Sequence, residues 1–138
     1  MIELATGAAF LMSSLYGAGQ ANAQTAPMAG LSAKQESAIT RNITNTKQVE
    51  AYVRREFSNT PILVEIARCE STFRQFDDSG RVIRGIVNDQ DVGVMQINEK
   101  YHIDAAEKLG LDIYTLEGNV AYARNLYEKQ GLRPWLSS

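Results

Sequence analysis

Apolar positions recur at helical spacing from about residue 46 onward. Val49, Tyr52, Val53 and Phe57 fall on one face of a helix. Ser58-Asn59-Thr60-Pro61 ends that helix and starts the next. Thr60 is a favourable N-cap residue, and Pro61 suits the first helical position, where its missing N–H costs nothing. The second helix is expected over residues 61–72, with Ile62, Leu63, Ile66, Cys69 and Phe73 as its apolar stripe. Phe73-Arg74-Gln75-Phe76 and Val82-Ile83-Arg84 flank Asp77-Asp78-Ser79-Gly80. That polar run ending in Gly favours a tight turn, so a short β-hairpin is predicted around it. Residues 88–91 read as a polar loop before Val92-Gly93-Val94-Met95-Gln96-Ile97-Asn98. A third helix over residues 103–109 should stop at Gly110, and a fourth over residues 116–130 should stop at Gly131. Thr115 is the expected N-cap of the fourth, with Leu116, Val120, Ala123 and Tyr127 facing inward. The pattern therefore predicts a mainly α domain, α+β in class, over residues 46–138, with a small β-hairpin.

The chain before residue 46 behaves differently. Residues 2–16 are mostly apolar or small, and Glu3 is the only charge before Lys34. Ala21-Asn22-Ala23 follows, a small-x-small pattern of the kind that precedes a secretory cleavage site. Residues 1–23 are thus expected to be a signal peptide cleaved before Gln24, or an uncleaved N-terminal anchor. The anchor stays open because Glu3 occupies the position where Lys or Arg is expected. Residues 24–45, rich in Ala, Ser, Thr, Gln and Asn, are expected to be a linker. An exported protein follows, periplasmic, wall-associated or extracellular.

Composition narrows the function classes. Fourteen basic and 16 acidic residues leave a net charge of −2, and no Lys/Arg run stands out. The electrostatic footprint of a nucleic-acid binder is missing. One cysteine and one histidine are too few for an internal disulfide or a structural zinc site, so neither metal nor cofactor is expected.

Glu70 is the candidate for chemistry. It lies in the last turn of an apolar helix, between Cys69 and Ser71 and near Phe73. A carboxyl held partly in an apolar setting has its charged form disfavoured, which makes it a proton donor near neutral pH. Asp89 and Asp91 offer a possible second carboxylate, although turn formation is the commoner role of Asp in a loop. Cys69 could act as a nucleophile with His102, but its place on the stripe points to a buried packing thiol, and His102 to a surface or helix-start position. Tyr101 and Trp135 suit either sugar stacking or core capping. Met95 is expected half in the core and half on a cleft floor. Gln96 and Asn119 carry amides that donate and accept at once, as hydroxyl and acetamido groups require.

Three segments, taken in order, carry a resemblance. Pro61-Ile62-Leu63-Val64-Glu65-Ile66-Ala67-Arg68-Cys69-Glu70-Ser71-Thr72-Phe73 resembles a helix ending in Glu-Ser. Gly93-Val94-Met95-Gln96-Ile97 is similar to Gly-Leu-Met-Gln-Ile. Gly118-Asn119-Val120-Ala121-Tyr122-Ala123 is similar to an Asn-Ile-x-x-Gly/Ala stretch. Together, over residues 61–135, they resemble the lytic transglycosylase domain of the goose-type lysozyme superfamily. The strip from Asp91 to Asn98 also resembles the Asp-Tyr-Gly-x-x-Gln-Ile-Asn segment of animal-type lysozymes. The family's Ala-Tyr-Asn motif has no counterpart here, and Tyr122 and Tyr127 both stand as substitutes for its Tyr.

The resemblance implies a lysozyme-like fold with the hairpin beside a cleft, and a monomer acting on peptidoglycan glycan strands. It implies cleavage of the β-1,4 bond between N-acetylmuramic acid and N-acetylglucosamine, with Glu70 as the single acid and base and a 1,6-anhydro sugar as product. Ser71, Gly93, Met95, Gln96, Asn119 and Tyr122 are the expected substrate contacts. The alternatives are a hydrolytic muramidase and a non-catalytic cell-wall-binding module.

Overall fold

A computed structural model of the chain describes residues 45–136. The expected signal peptide or anchor, and all of the expected linker except Asn45, lie outside the described residues. The first helix, α1, spans Thr46–Glu56, and the Asn45 side chain caps it by accepting from Lys47 N at 2.8 Å. Its face Val49, Tyr52 and Val53 is buried, as is Phe57 just beyond it.

The second helix, α2, spans Pro61–Ser71. Pro61 stands at its start as expected, but the Thr60 side chain makes no cap bond, and the turn is closed by Leu63 N donating to Thr60 O at 3.0 Å. The buried face also differs from the expected stripe. Leu63, Val64, Ala67 and Ser71 point inward, Ile66 is half-buried, and Ile62 and Cys69 are exposed. Both sets of positions have helical spacing, so periodicity alone could not choose between them. The chosen face carries Ala67 and Ser71, whose small side chains let neighbouring backbone approach closely. Cys69 is thus a surface thiol, not a packing one.

The end of α2 is strained. Thr72 and Phe73 both adopt left-handed backbone, with φ of 54° and 57°. They satisfy the last carbonyls of the helix, Phe73 N donating to Ala67 O and Thr72 N to Arg68 O. Left-handed backbone costs a residue with a Cβ roughly 1–2 kcal/mol. Burial of the Phe73 ring and of Gln75 directly afterwards offsets that cost.

The hairpin is displaced from its expected place. Around residues 77–80 the expected hairpin is reduced to one antiparallel bridge, Phe76 to Val82, flanked by Asp77 N donating to Arg81 O and Ile83 N to Gln75 O. The Asp77 carboxylate holds this turn, accepting from Ser79 N and Arg81 N at 2.9 Å each. The two-stranded sheet forms further on, between β1 (Asp91–Val92) and β2 (Ile97–Asn98), antiparallel with Val92 opposite Ile97. Val92 and Ile97 are buried and pair side by side, whereas Val82, its bridge partner Phe76, and Ile83 are only half-buried.

Helix α3 spans Glu99–Lys108 and begins four residues before its expected start, directly off β2. Helix α4 spans Leu116–Gln130 as expected, with Thr115 Oγ1 accepting from Gly118 N at 3.0 Å. Gly118 is required there, because a Cβ would run into the backbone of Asp112. A short 3₁₀ turn, Arg133–Trp135, follows. Helices α1, α2 and α4 enclose one core, into which Val92, Val94, Met95 and Ile97 project from the sheet and its turn. The molecule is mainly α with a small antiparallel hairpin, the fold class expected from the sequence. Among the described residues no helix is long and apolar enough to cross a membrane.

Candidate active site

The turn between β1 and β2 is fixed by side chains that arrive from three separate parts of the chain. Ser71 Oγ, at the end of α2, donates to Val94 O at 2.8 Å. Gln75 Oε1 accepts from Val94 N at 2.8 Å. Asn119 Oδ1, from α4, accepts from Met95 N at 2.9 Å, and its Nδ2 donates to Val92 O and Ile113 O. Trp135 Nε1 donates to Met95 O at 3.0 Å. Ser71, Gln75 and Asn119 are buried, so these bonds form away from water, where leaving either partner unpaired would cost about 1–3 kcal/mol. Gly93 completes the turn with a φ of 73°. A Cβ there would sit 2.5 Å from Asn119 Nδ2 and 2.8 Å from Gln75 Oε1.

This frame delivers Gln96 to the surface, with left-handed backbone at φ 48° and its Nε2 donating to Gly93 O at 2.8 Å. Gln96 and Glu70 line one cavity of about 360 Å³, together with Arg74, Ile83, Gly85 and Asp91. Glu70 is half-buried on the last turn of α2. A second cavity of about 360 Å³ adjoins the first and shares Asn88, Asp91 and Gln96 with it. Tyr101, His102, Pro134 and Trp135 form its far side. The two make a continuous groove with a carboxylate at one end, amides and Asp91 in the middle, and aromatic side chains at the other end.

Gln96 therefore stands on the groove wall beside Glu70, as the sequence led us to expect. Ser71, Gly93, Met95, Asn119 and Tyr122 do not; all five are buried. Both Asn119 N–H donors and its carbonyl oxygen bond to backbone groups, and the side chain is buried, so it orients the turn and does not face the groove. Met95 lies wholly in the core, not half in the cleft. Tyr122 is buried, with its hydroxyl 3.1 Å from His102 Nδ1. Burial pushes the Tyr122 hydroxyl up and holds His102 below the usual imidazole range. His102 is thus a partly buried residue inside α3, not a surface or helix-start group. Tyr127, the other proposed substitute for the missing Tyr, packs half-buried against the core. Trp135 packs against the core, one of its two expected roles, and also lines the groove, and Tyr101 is exposed on the groove.

Three residues of the site were not nominated by the sequence. Gln75 lies between Phe73 and Phe76, and a polar amide amid aromatic neighbours is the signal that would have found it. Arg74 and Asn88 carried no such signal. Asp91, assigned to turn chemistry, instead opens β1 and lines the groove, its Oδ1 accepting from Asn98 Nδ2 at 2.7 Å. Arg84, which also lines the Glu70 cavity, grips Glu99 through Nη1 and Nη2 at 2.8 and 3.1 Å, and Tyr114 OH donates to the same carboxylate at 2.8 Å. The Arg84 hydrogen bonds hold the Glu99 carboxyl below its ordinary range. Among the described residues no group of three or more His, Cys, Asp or Glu gathers as a metal site would need.

Neither a family model, nor a curated protein, nor a solved structure matches this chain.

Proposed function

We propose that the protein is a peptidoglycan lytic transglycosylase, exported to the cell wall, with Glu70 as its single acid and base. The observation that carries this reading is convergence. The three segments resembling that family meet at one turn, which sets the Gln96 amide on the same cavity wall as Glu70. A half-buried carboxyl beside a neutral amide in an elongated groove suits a polymer of acetamido sugars. Glu70 protonates the glycosidic oxygen. The sugar's own acetamido group and the dipoles of the site stabilise the oxocarbenium-like centre. Glu70, now a carboxylate, removes the proton of the muramic C6 hydroxyl, and that oxygen closes on C1 to give the 1,6-anhydro product. No water is consumed.

Glu70→Gln tests this directly. It keeps shape but cannot move the proton, and general acid–base catalysis typically contributes about 10²–10⁴-fold. Release of 1,6-anhydromuropeptides from purified peptidoglycan should fall by at least that order, while binding to glycan strands persists. Near-normal turnover by the variant would refute the mechanism. Binding with no product from the wild type would leave the wall-binding module.

One observation favours a second reading. Asp91 lines the same cavity as Glu70, so a second carboxylate is available to support attack by water. The chain would then be a hydrolytic muramidase, and reducing-end sugars in place of anhydro sugars would identify it.

A further inference from the structure

The chain has one histidine, His102, and the proposed chemistry gives it no part. It lies on α3 and lines the half of the groove away from Glu70, beside Tyr101, Leu126, Pro134 and Trp135. Its ring is held from behind. Nδ1 stands 3.1 Å from the hydroxyl of Tyr122 on α4, and the two ring centroids are 5.6 Å apart with the planes tilted by 58°.

Hydrogen-bond accounting places the ring proton. Tyr122 is buried, and among the described residues His102 is the one partner of its hydroxyl. Were Nδ1 protonated and donating, the tyrosine O–H would be left buried with no acceptor, a costly arrangement. With the hydroxyl donating to Nδ1, both groups are satisfied and the ring proton sits on Nε2. Burial favours the neutral form of each side chain, which keeps one proton on each. Nε2 has no hydrogen-bond partner among the described residues and is not sealed from solvent. Asp91, a carboxylate on the same cavity, makes no ion pair with His102; its Oδ1 accepts from Asn98.

We propose that His102 is a specificity-determining residue of the groove: Tyr122 holds its ring by Nδ1, and Nε2–H donates to an uncharged oxygen of the bound saccharide, on the side of Gln96 away from Glu70. The inference rests on the reading of the groove as a glycan site. A neutral donor suits that chemistry. It meets a hydroxyl or an amide carbonyl without the desolvation cost of an ionised group, and it offers nothing to an ammonium, which is itself only a donor. Tyr122 is a positioning residue, buried and acting through the imidazole.

Nitrogen NMR of the full chain sees a single imidazole, so its tautomer is read directly. The Nε2–H form is expected near neutral pH, and the Nε2 resonance should move on titration with a β-1,4 N-acetylglucosamine oligomer. His102→Phe keeps a ring and removes the donor, and should weaken equilibrium binding of that oligomer about fivefold, the scale of one neutral hydrogen bond. Tyr122→Phe should weaken it about twofold in the wild-type background and leave it unchanged beside His102→Phe, because its effect passes through that ring. The double variant removes both members of the buried pair, which is nearly neutral for stability, so its thermal midpoint checks that the fold persists. A glucose oligomer of equal length locates the oxygen. The same dependence on His102 assigns it to a hydroxyl, and a dependence confined to the N-acetylglucosamine oligomer assigns it to the acetamido carbonyl. An Nδ1–H tautomer, wild-type affinity in His102→Phe, or an equal loss from Tyr122→Phe in both backgrounds would overturn the proposal and leave the glycan reading intact. Binding without cleavage by the wild type would count against the proposed activity alone, and a wild type that binds neither oligomer would overturn both.

Discussion

The Val92–Gln96 turn and the 83–88 segment border the same cavity and are held in different ways. In the turn, both backbone groups of Val94 and both of Met95 are bound by side chains from elsewhere in the fold. In the 83–88 segment, Ile86 and Val87 are fully exposed, and anchorage comes from its ends, through Ile83 N to Gln75 O and Gly85 N to Asp91 O. The first wall places a single amide, that of Gln96, at a fixed position beside Glu70. The second leaves apolar and cationic side chains facing solvent. On the proposed reading, the fixed wall holds the bond to be cut and the accessible one meets the rest of the glycan chain.

The largest way to break this contrast is to unlock the rigid wall. Asn119→Ala orphans Met95 N–H and the carbonyls of Val92 and Ile113, and should cost roughly 3 kcal/mol or more of stability in denaturant unfolding. A loss under 1 kcal/mol would mean that the turn holds itself.

Next comes the acid response of the Arg84–Glu99 ion pair at the groove wall. The folded pKa of Glu99 lies below its ordinary 4.5, first because Arg84 hydrogen-bonds to its carboxylate. Its stabilisation is therefore fully present above about pH 4.5 and is lost as the pH falls through the depressed value. The gap in thermal midpoint between wild type and Glu99→Gln should be constant near neutrality and close under acid. A gap that widens under acid would contradict the assignment.

The open wall should barely respond. Val87→Ser should change stability by no more than about 0.5 kcal/mol, as surface substitutions usually do. Smallest of all, Cys69→Ala should leave both the unfolding midpoint and glycan cleavage unchanged, because the thiol is exposed and lines neither groove cavity. Lost activity with an intact fold would bring a thiol mechanism back into consideration.

Much of the helical layout was legible in the chain. Thr115 caps through its side chain as expected and α4 spans its expected residues, because an N-cap and an uninterrupted apolar period act locally, whereas the expected Thr60 cap bond does not form. The site was legible in position more than in role. Glu70 and Gln96 line the cavity as nominated, whereas Ser71, Gly93, Met95, Asn119 and Tyr122 are buried. An amide able to bind sugar and an amide able to bind backbone are the same chemical group. Which one it meets depends on what lies opposite.

The sequence by itself therefore determined what is local: most of the helical segments, the Thr115 cap and the carboxylate at the end of α2. Tertiary structure decided what depends on partners far along the chain. It kept Leu63 inward as expected and added Val64, Ala67 and Ser71 in place of Ile62 and Cys69 on the inward face of α2. It moved the hairpin from residues 73–84 to Asp91–Val92 and Ile97–Asn98, where Val92 and Ile97 could pair over the core. It brought Asp91 onto the groove beside Glu70, 21 residues away in the chain. Hydrogen-bond capacity and hydrophobic period are properties of a residue and its neighbours, but burial and the identity of a bonding partner are properties of the whole packed chain.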